Sequence, residues 1–165
     1  MKKIAIVALL SAFAAVPAFA AGQNSAGISY GTDVNGVIGI HGEFDISSMT
    51  NNAPVSVQVF WKGYSQSYAT FAGTYKYSYN GFGVAAIYDF SSMTQLDKKI
   101  HPYGGLGLYT LNASLSGPTG TFATAADSGG LYITGGVRYT LTPQVAADLN
   151  FNNIGGLTIG ANYSF

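Results

Sequence analysis

The residues best suited to chemistry lie close together in one short segment. His41, Glu43 and Asp45 follow each other at spacings of i, i+2 and i+4, and in a β-strand this spacing places all three side chains on one face. An imidazole and two carboxylates in this arrangement could bind a metal ion or act as an acid–base pair. We favour a simpler interpretation, a packed polar core in which the carboxylates pair with cations.

Two basic residues, Lys62 and Arg138, lie on the polar faces of other predicted strands and could neutralise these carboxylates. A three-residue turn at 142–144 would bring Arg138 directly opposite Asp148, so strand register alone predicts an ion pair. The predicted polar network therefore consists of His41, Glu43, Asp45, Lys62, Arg138 and Asp148.

A catalytic site is the weaker interpretation of these residues. The chain has two histidines, His41 and His101, and their local sequences, HGEF and HPYG, contain no serine that could act as a nucleophile. The absence of cysteine excludes disulfides and thiolate metal sites. We therefore expect no enzyme activity and no cofactor, with a lipid-modifying barrel enzyme as an alternative.

Strands with two chemically different faces would position these side chains. Apolar residues recur at every second position, which is the period of a β-strand. Eight segments show this alternation: 27–34, 37–46, 55–62, 82–90, 101–111, 131–141, 145–152 and 157–165. Phe60 and Ile87 fall out of phase, and the fifth segment is ambiguous.

The composition decides which face meets water. Hydrophobic residues make up 48% of the chain and charged residues only 8%, whereas a soluble sandwich would carry many charges on its outer faces. Polar faces that line a narrow lumen and apolar faces that meet lipid explain the low charge directly. We therefore predict an all-β fold, an eight-stranded antiparallel up-and-down transmembrane β-barrel.

The first residues have the features of a targeting segment. Lys2 and Lys3 precede an apolar run, and Pro17 is followed by an A-x-A site that ends at Ala20. This pattern predicts a cleaved signal peptide at 1–20 and a barrel domain at 21–165, with a membrane-anchoring helix as the alternative. Without the two lysines the chain carries five basic and seven acidic residues, so nucleic acid is not an expected partner.

The connections between the segments differ in length. An even number of strands places both termini on the periplasmic side and leaves four outer connections, two of them long, at about 64–80 and 112–129. We interpret Asn80-Gly81 as a bulge rather than a turn, and 34–36 as a three-residue loop.

The first long connection is rich in tyrosine, which favours adaptable contact surfaces. Candidate surface contacts are Tyr64, Tyr68, Tyr75, Tyr77 and Tyr79. An equally weighted alternative is a strand pair that extends above the membrane, with tyrosines marking its outer interface.

Several segments resemble a known family. AAIYDF, HPYGGLGLYTLNAS, GGVRYTLTPQVAADLNF and the terminal YSF resemble the small eight-stranded outer-membrane barrels related to the OmpA transmembrane domain, the opacity proteins and neisserial surface protein A. The resemblance implies that Tyr163 and Phe165 form the recognition signal for the outer-membrane assembly machinery. It also implies a role as a surface adhesin, a host-factor binder or an envelope-stabilising protein.

These observations predict a monomeric, non-enzymatic barrel in a Gram-negative outer membrane, acting in surface interaction and adhesion or in envelope integrity. Its expected partners are outer-membrane lipid and lipopolysaccharide, the assembly machinery and a host or cell-surface ligand. A narrow pore for small or apolar solutes is the alternative function.

Overall fold

The computed structural model describes residues 24–32, 36–118 and 120–165, without the side chains of 120–127. The predicted signal peptide therefore lies outside the described residues. Within them, no helix is long and apolar enough to cross a membrane. The strands are β1 (Ser25–Gly31), β2 (Val37–Asp45), β3 (Val55–Thr70), β4 (Gly73–Asp89), β5 (Ile100–Gly117), β6 (Gly120–Thr140), β7 (Val145–Asn152) and β8 (Gly156–Ser164).

The eight strands form a closed antiparallel barrel in sequence order. Each strand pairs with the next, and β8 returns to β1, where Ile28 lies opposite Ala161. In the ring where all eight strands overlap, closure pairs each strand on both sides and leaves no open edge. The predicted fold class is confirmed.

The apolar residues of the alternating pattern face outward and form a belt around the barrel. Its exposed members include Ile28, Ile38, Val59, Phe82, Val84, Leu106, Leu108, Leu131, Ile133, Leu149, Phe151, Leu157 and Ile159. The two residues that break the pattern, Phe60 and Ile87, point inward and are buried. A barrel of eight strands has room for side chains but not for an open channel, so these two fill the lumen together with polar neighbours.

The two halves of the barrel differ in height. β3 to β6 contain 16, 17, 18 and 21 residues, whereas β7, β8, β1 and β2 contain 8, 9, 7 and 9. The extra length comes from 64–80 and 112–129, where strand pairing continues as far as Thr70 opposite Gly73 in the first hairpin. We call these segments the wall. The alternative of an extended strand pair is therefore correct, and the predicted long loops are wrong.

Three predictions about turns have different outcomes. The turn at 142–144 is confirmed, since the Leu141 amide donates to the Val145 carbonyl at 2.9 Å. The bulge expected at Gly81 is wrong, because pairing with β3 runs through it without interruption. The three-residue loop at 34–36 is also wrong: Gly31 pairs with Val37, which leaves 32–36 as the connection, and its residues 33–35 lie outside the described part of the chain.

Two turns at the opposite end of the barrel from the wall share one sequence pattern, D-x-S-S-M-T, at 45–50 and 89–94. In each, the aspartate Oδ1 accepts a hydrogen bond from the backbone amide two residues later, at 2.6 Å for Asp45 and 2.7 Å for Asp89. A short 3-10 helix follows in both turns. Local side-chain bonding of this kind fixes the turn and leaves the strands on either side in register.

Candidate functional site

The centre of the lumen contains a cluster of charges around Arg138, which projects inward from β6. Its guanidinium donates two hydrogen bonds to Glu43 of β2, one at 2.9 Å and one at 2.5 Å. Its Nε donates a third to Asp148 of β7 at 3.2 Å. One cation thus joins three strands, and the register-based pairing of Arg138 with Asp148 is present in the structure.

Neutral donors complete the surroundings of the two carboxylates. Tyr103 of β5 donates its hydroxyl to Asp148, 3.0 Å from each carboxylate oxygen, and its ring lies 4.4 Å below the guanidinium carbon of Arg138. Ser56 donates to Glu43 at 2.6 Å. Hydrogen bonds and opposite charges compensate the cost of burying these ions. We call Glu43, Tyr103, Arg138 and Asp148 the lumen cluster.

Lys62 lies apart from the lumen cluster but connects to it through a row of amides. Its ammonium donates to the Asn152 Oδ1 at 2.5 Å, Asn152 donates to Asn150 at 2.9 Å, and Asn150 donates to Asp148 at 2.5 Å. The three acceptor residues occupy alternate positions of β7, so they share one face. The ammonium also lies 5.9 Å from the Phe60 ring centroid and 5.4 Å from that of Tyr132.

The structure does not bring the three residues of the β2 segment together as one site. Glu43 belongs to the lumen cluster, whereas His41 is hydrogen-bonded through Nε2 to the Asn162 side chain at 2.7 Å, and Asp45 caps the following turn. Among the described residues no group of three or more potential ligands could hold a metal ion. The arrangement is thus a polar core with paired ions, not an acid–base pair.

Sequence reasoning missed much of the support for this core. Tyr103, Tyr132, Asn150, Asn152 and Asn162 all contribute to the lumen, and four of these residues are buried while Asn150 is partly so. The signal was present, because Asn150 and Asn152 alternate with apolar residues in the same phase as Asp148, and Asn162 alternates with apolar residues of β8. For the two tyrosines the pattern is ambiguous, since an aromatic ring suits either face of a barrel strand.

A serine next to a histidine is also present, contrary to the expectation from the local sequences. Ser91 Oγ lies 3.1 Å from His101 Nδ1, and Asp89 Oδ2 lies 3.8 Å from the same nitrogen. Nε2 is 3.1 Å from the Thr140 hydroxyl. A catalytic triad needs the serine and the carboxylate on opposite ring nitrogens. Here both the serine and the carboxylate lie at Nδ1, so these contacts join the turn at 89–94 to β5 and do not form a triad.

Tyr103 separates two internal spaces. One, of about 20 Å³, lies beside Lys62 and Tyr132. The other, of about 260 Å³, lies beside Asp45 and His101 at the end of the barrel opposite the wall and opens to solvent. Tyr103 lines both, and its hydroxyl is held by Asp148. The lumen cluster is therefore the barrier between the middle and the inner end of the barrel.

The wall reverses the polarity of the barrel below it. In the lower part of β4, Phe82 and Val84 face outward. Above them the same face of the strand carries residues such as Ser78 and Lys76, while Tyr79 and its neighbours at alternate positions face inward. β3 and β5 also carry polar side chains on their outer faces at this level. On β5 one of them is Ser114, which is hydrogen-bonded to Ser78 at 2.9 Å. This reversal is expected where strands leave lipid and enter water.

The single tryptophan supports the position of this boundary. Trp61 pairs with Phe82, the uppermost apolar residue of the belt on β4, and its ring lies against Gly63, where a Cβ atom would collide with it. Tryptophan is enriched where lipid headgroups meet water. Above this level the outward side chains are polar.

The predicted surface tyrosines all lie on the inner face of the wall, but at different depths. Tyr64 and Tyr79, which pair across β3 and β4, are only 6% and 8% exposed, and the Tyr79 hydroxyl donates to the Ile154 carbonyl. For these two the prediction of surface contact is wrong, because they close the outer end of the lumen. Tyr75 and Tyr77 are partly exposed, and Tyr68 is 44% exposed.

The predicted assembly signal lies at the end of β8 and just after it. Tyr163 is 56% exposed and Phe165 is 59% exposed, so both rings face away from the lumen. The Phe165 amide donates to the Asn24 carbonyl at 2.9 Å, which joins the two ends of the described barrel. The recognition of these residues by the assembly machinery stays a prediction.

Comparison with known proteins shows similarity at the level of structure. No protein-family model and no curated protein matches the chain. Neisserial surface protein A is similar with 24% identity and a TM-score of 0.60, over 87% of this chain and 95% of that one. The N-terminal β-barrel domain of Pseudomonas aeruginosa OprF has 14% identity and a TM-score of 0.58, over 87% and 97%.

A third similar structure is Ail, the attachment invasion locus protein of Yersinia pestis, in complex with the heparin analogue sucrose octasulfate. It has 14% identity and a TM-score of 0.56, over 87% of this chain and 97% of that one. The chain therefore has the fold of the small eight-stranded outer-membrane barrels, as the sequence resemblance implied.

Proposed function

We propose that the chain is a non-enzymatic, monomeric integral protein of a Gram-negative outer membrane, with both termini on the periplasmic side, and that it acts in surface interaction. The apolar belt supports insertion in a bilayer, since a water-exposed surface of this apolar extent would not suit a soluble protein. The wall then stands on the outer side, because both described ends lie at the opposite mouth.

The contacts of the lumen favour a structural role over an enzymatic one. Arg138 donates hydrogen bonds to both Glu43 and Asp148, so neither carboxylate is placed to exchange a proton with a substrate. The Ser91–His101 contact lacks the geometry of a triad. These contacts also oppose the alternative of a narrow pore, because the lumen cluster blocks the axis in this structure.

The wall is the single observation that carries a role in surface interaction. It rises on one side of the barrel only, and three of its inward tyrosines are partly or largely open above the buried pair. Its tip carries Phe71, which is fully exposed. Tyrosine supplies a large contact area at a low entropic cost. Ail, which has a similar fold, was solved in complex with a heparin analogue, and for this chain we propose the wall as the surface that binds a ligand.

The wall can be shortened without disturbing the barrel, which tests this function. Gln66 pairs with Tyr77, four residues below the Thr70–Gly73 pair that closes the present turn, so replacing 67–76 with Asn-Gly would close the hairpin at an equivalent pair with a two-residue turn. We expect cells that display this variant to lose adhesion to a host cell layer or to neighbouring cells. The double variant Ser67→Ala/Thr74→Ala, on the outer face of the same hairpin, is the matched control and should adhere normally.

Two results would decide between interaction and envelope integrity. Unchanged adhesion of the shortened variant, with normal heat-dependent gel mobility, would contradict the interaction role. The role in envelope integrity would be favoured if cells lacking the whole protein became sensitive to detergent and the shortened variant restored their resistance.

We further propose that the outer-membrane assembly machinery recognises Tyr163 and Phe165. The belt is proposed to contact membrane lipid and lipopolysaccharide. Both rings are outward and lie at the end of the last strand, where a partner could reach them. Phe165→Ala should lower the amount of folded barrel in the membrane, whereas Tyr139→Ala, another exposed ring, should not.

A further inference from the structure

The upper part of the inner face of the wall carries partly exposed tyrosine rings, and one of them, Tyr77, also packs against the buried Tyr64 with ring centroids 6.0 Å apart. Above the buried pair, Tyr77 lies opposite Leu115 of β5, and Tyr75 lies opposite Tyr68 of β3. Tyr68 and Leu115 are exposed to 44% and 38%. Because β7, β8, β1 and β2 end lower, no strand faces these rings across the barrel axis. We call Tyr68, Tyr75, Tyr77 and Leu115 the tyrosine face.

This surface is electrically neutral on the strands whose side chains are described. Lys76 is the one charged residue in 64–80, and it pairs with Ser67 and Ser116 on the outer face of the wall. A sulfated or strongly acidic ligand would therefore find no cation on the tyrosine face. The ligand that suits this surface is uncharged, because burying an unpaired ion against neutral rings is costly.

The polar atoms of the face lie at the edges of its rings. Gln66 is placed between Tyr64 and Tyr68, and both hydroxyls donate to its Oε1, at 2.9 Å from Tyr68. A tyrosine ring thus offers an apolar surface with a hydrogen-bonding group at its rim. A pyranose sugar has the matching form, with C–H groups on one flat side and hydroxyls around the edge.

We propose that the tyrosine face binds a neutral oligosaccharide, an inference that rests on the proposed surface-interaction function. Alternate residues of a strand are about 7 Å apart, at ~3.4 Å per residue, so Tyr75 and Tyr77 present successive rings along β4, and Tyr68 adds one across the hairpin. A row of rings suits a chain of sugars better than a single sugar. An acyl chain would gain nothing from the hydroxyls, which would lose hydration against it.

Binding of defined sugars to the full protein in lipid nanodiscs tests this proposal. The probe is a printed panel of neutral oligosaccharides of increasing length, with sulfated and sialylated counterparts, in the absence of sugar-based detergents. We expect neutral oligosaccharides to bind and monosaccharides to bind more weakly. Tyr68→Ser/Tyr75→Ser should weaken binding by about tenfold, which corresponds to about 1.4 kcal/mol, because two aromatic contact surfaces are removed. The control Ser67→Ala/Thr74→Ala should bind as the parent does.

Other outcomes would overturn the proposal. Binding of the sulfated glycans alone, of lauric acid alone or of an extended peptide library alone would each replace the neutral sugar with another ligand class. No binding to any neutral glycan would also overturn it. Heat-dependent gel mobility checks that each variant is folded, and Tyr68→Phe/Tyr75→Phe should retain part of the affinity because the rings remain.

The cell-adhesion assay separates this proposal from the function on which it rests. Loss of adhesion in the shortened variant, with a silent neutral panel, would overturn the sugar proposal and leave the interaction function standing. Unchanged adhesion of the shortened variant would overturn the interaction function itself.

Discussion

The lower and upper parts of β3 to β5 differ in the polarity of the side chains on their outer faces. Below the level of Trp61 the outward side chains are apolar and the lumen is polar; above it the outward side chains are polar and the inner face is aromatic. Strand pairing between β3 and β4 is unbroken across this level. With the proposed membrane insertion, this change matches lipid outside the lower part and water outside the upper part, and it involves no break in strand pairing.

Removal of the central cation should have the largest effect on the lower region. Arg138→Ala leaves Glu43 and Asp148 buried without their ion pair, which should lower the free energy of unfolding by about 3–5 kcal/mol. Urea unfolding from vesicles, followed by the fluorescence of the single tryptophan, measures this. Lys76→Ala, which removes an exposed cation from the wall, is the control. Equal unfolding midpoints for Arg138→Ala and the parent would contradict the structure of the lumen cluster.

A lysine placed on the outer surface should distinguish lipid from water directly. Leu149→Lys, on the belt, should destabilise the barrel by about 2–4 kcal/mol if this residue lies near the middle of the bilayer. Ser67→Lys, on the outer face of the wall, should change stability by less than about 0.5 kcal/mol. The same urea titration reports both variants. A similar loss for both would mean that the polarity reversal does not mark the membrane boundary.

The hydroxyl of Tyr103 allows the stabilisation of the Asp148 carboxylate to be tested. Tyr103→Phe removes the bifurcated hydrogen bond from this hydroxyl to the two carboxylate oxygens of Asp148 and keeps the ring beside Arg138. Hydrogen bonds to charged groups contribute about 1.5–3 kcal/mol, so we expect a loss of that size in the unfolding free energy. Tyr139→Phe, at an exposed position, should have no measurable effect. A neutral result for Tyr103→Phe would show that Asp148 is satisfied by its other partners.

The exposed tyrosine of the wall should contribute little to stability. Tyr68→Ala removes a ring that is 44% exposed, and surface changes of this kind are usually within about 0.5 kcal/mol. A loss as large as that for Tyr103→Phe would show that the upper wall is part of the barrel core and would weaken its assignment as a contact surface.

The smallest expected signal is in conductance. Because the lumen cluster blocks the axis, the purified parent protein should form no discrete channels in a planar bilayer. The Arg138→Ala variant, if it folds, supplies a positive comparison. Reproducible channels from the parent would support the pore alternative.

Much of the lower region could be predicted from sequence because a strand between two different environments has a sequence period of two. The outward residues Ile38, Leu149 and Ile159 and the opposition of Arg138 to Asp148 both follow from that period. The inward orientation of the Phe60 and Ile87 side chains does not follow from that period, because the filling of a narrow lumen depends on which side chains meet across the barrel.

The wall was harder to predict for a related reason. The pattern of tyrosine and serine in 64–80 also alternates, but with aromatic rings on the side where the lower strand has polar groups. Hydropathy alone cannot distinguish such a hairpin from a loop, since both are polar on average. Tyr79 is hydrogen-bonded to the Ile154 carbonyl, 75 residues away in the chain, and Tyr64 packs against Tyr79 with ring centroids 5.6 Å apart.

The sequence by itself determined the eight alternating segments, the apolar outer face, the register of the turn at 142–144 and the low charge that suits lipid. These features depend on neighbours within a strand or a hairpin. Only the tertiary structure decided that Glu43 shares Arg138 with Asp148, that His41 and Asp45 stand apart, and that the tyrosines form one inner face. Each of these depends on strands brought together by closure of the barrel, and side chains distant in sequence meet only then.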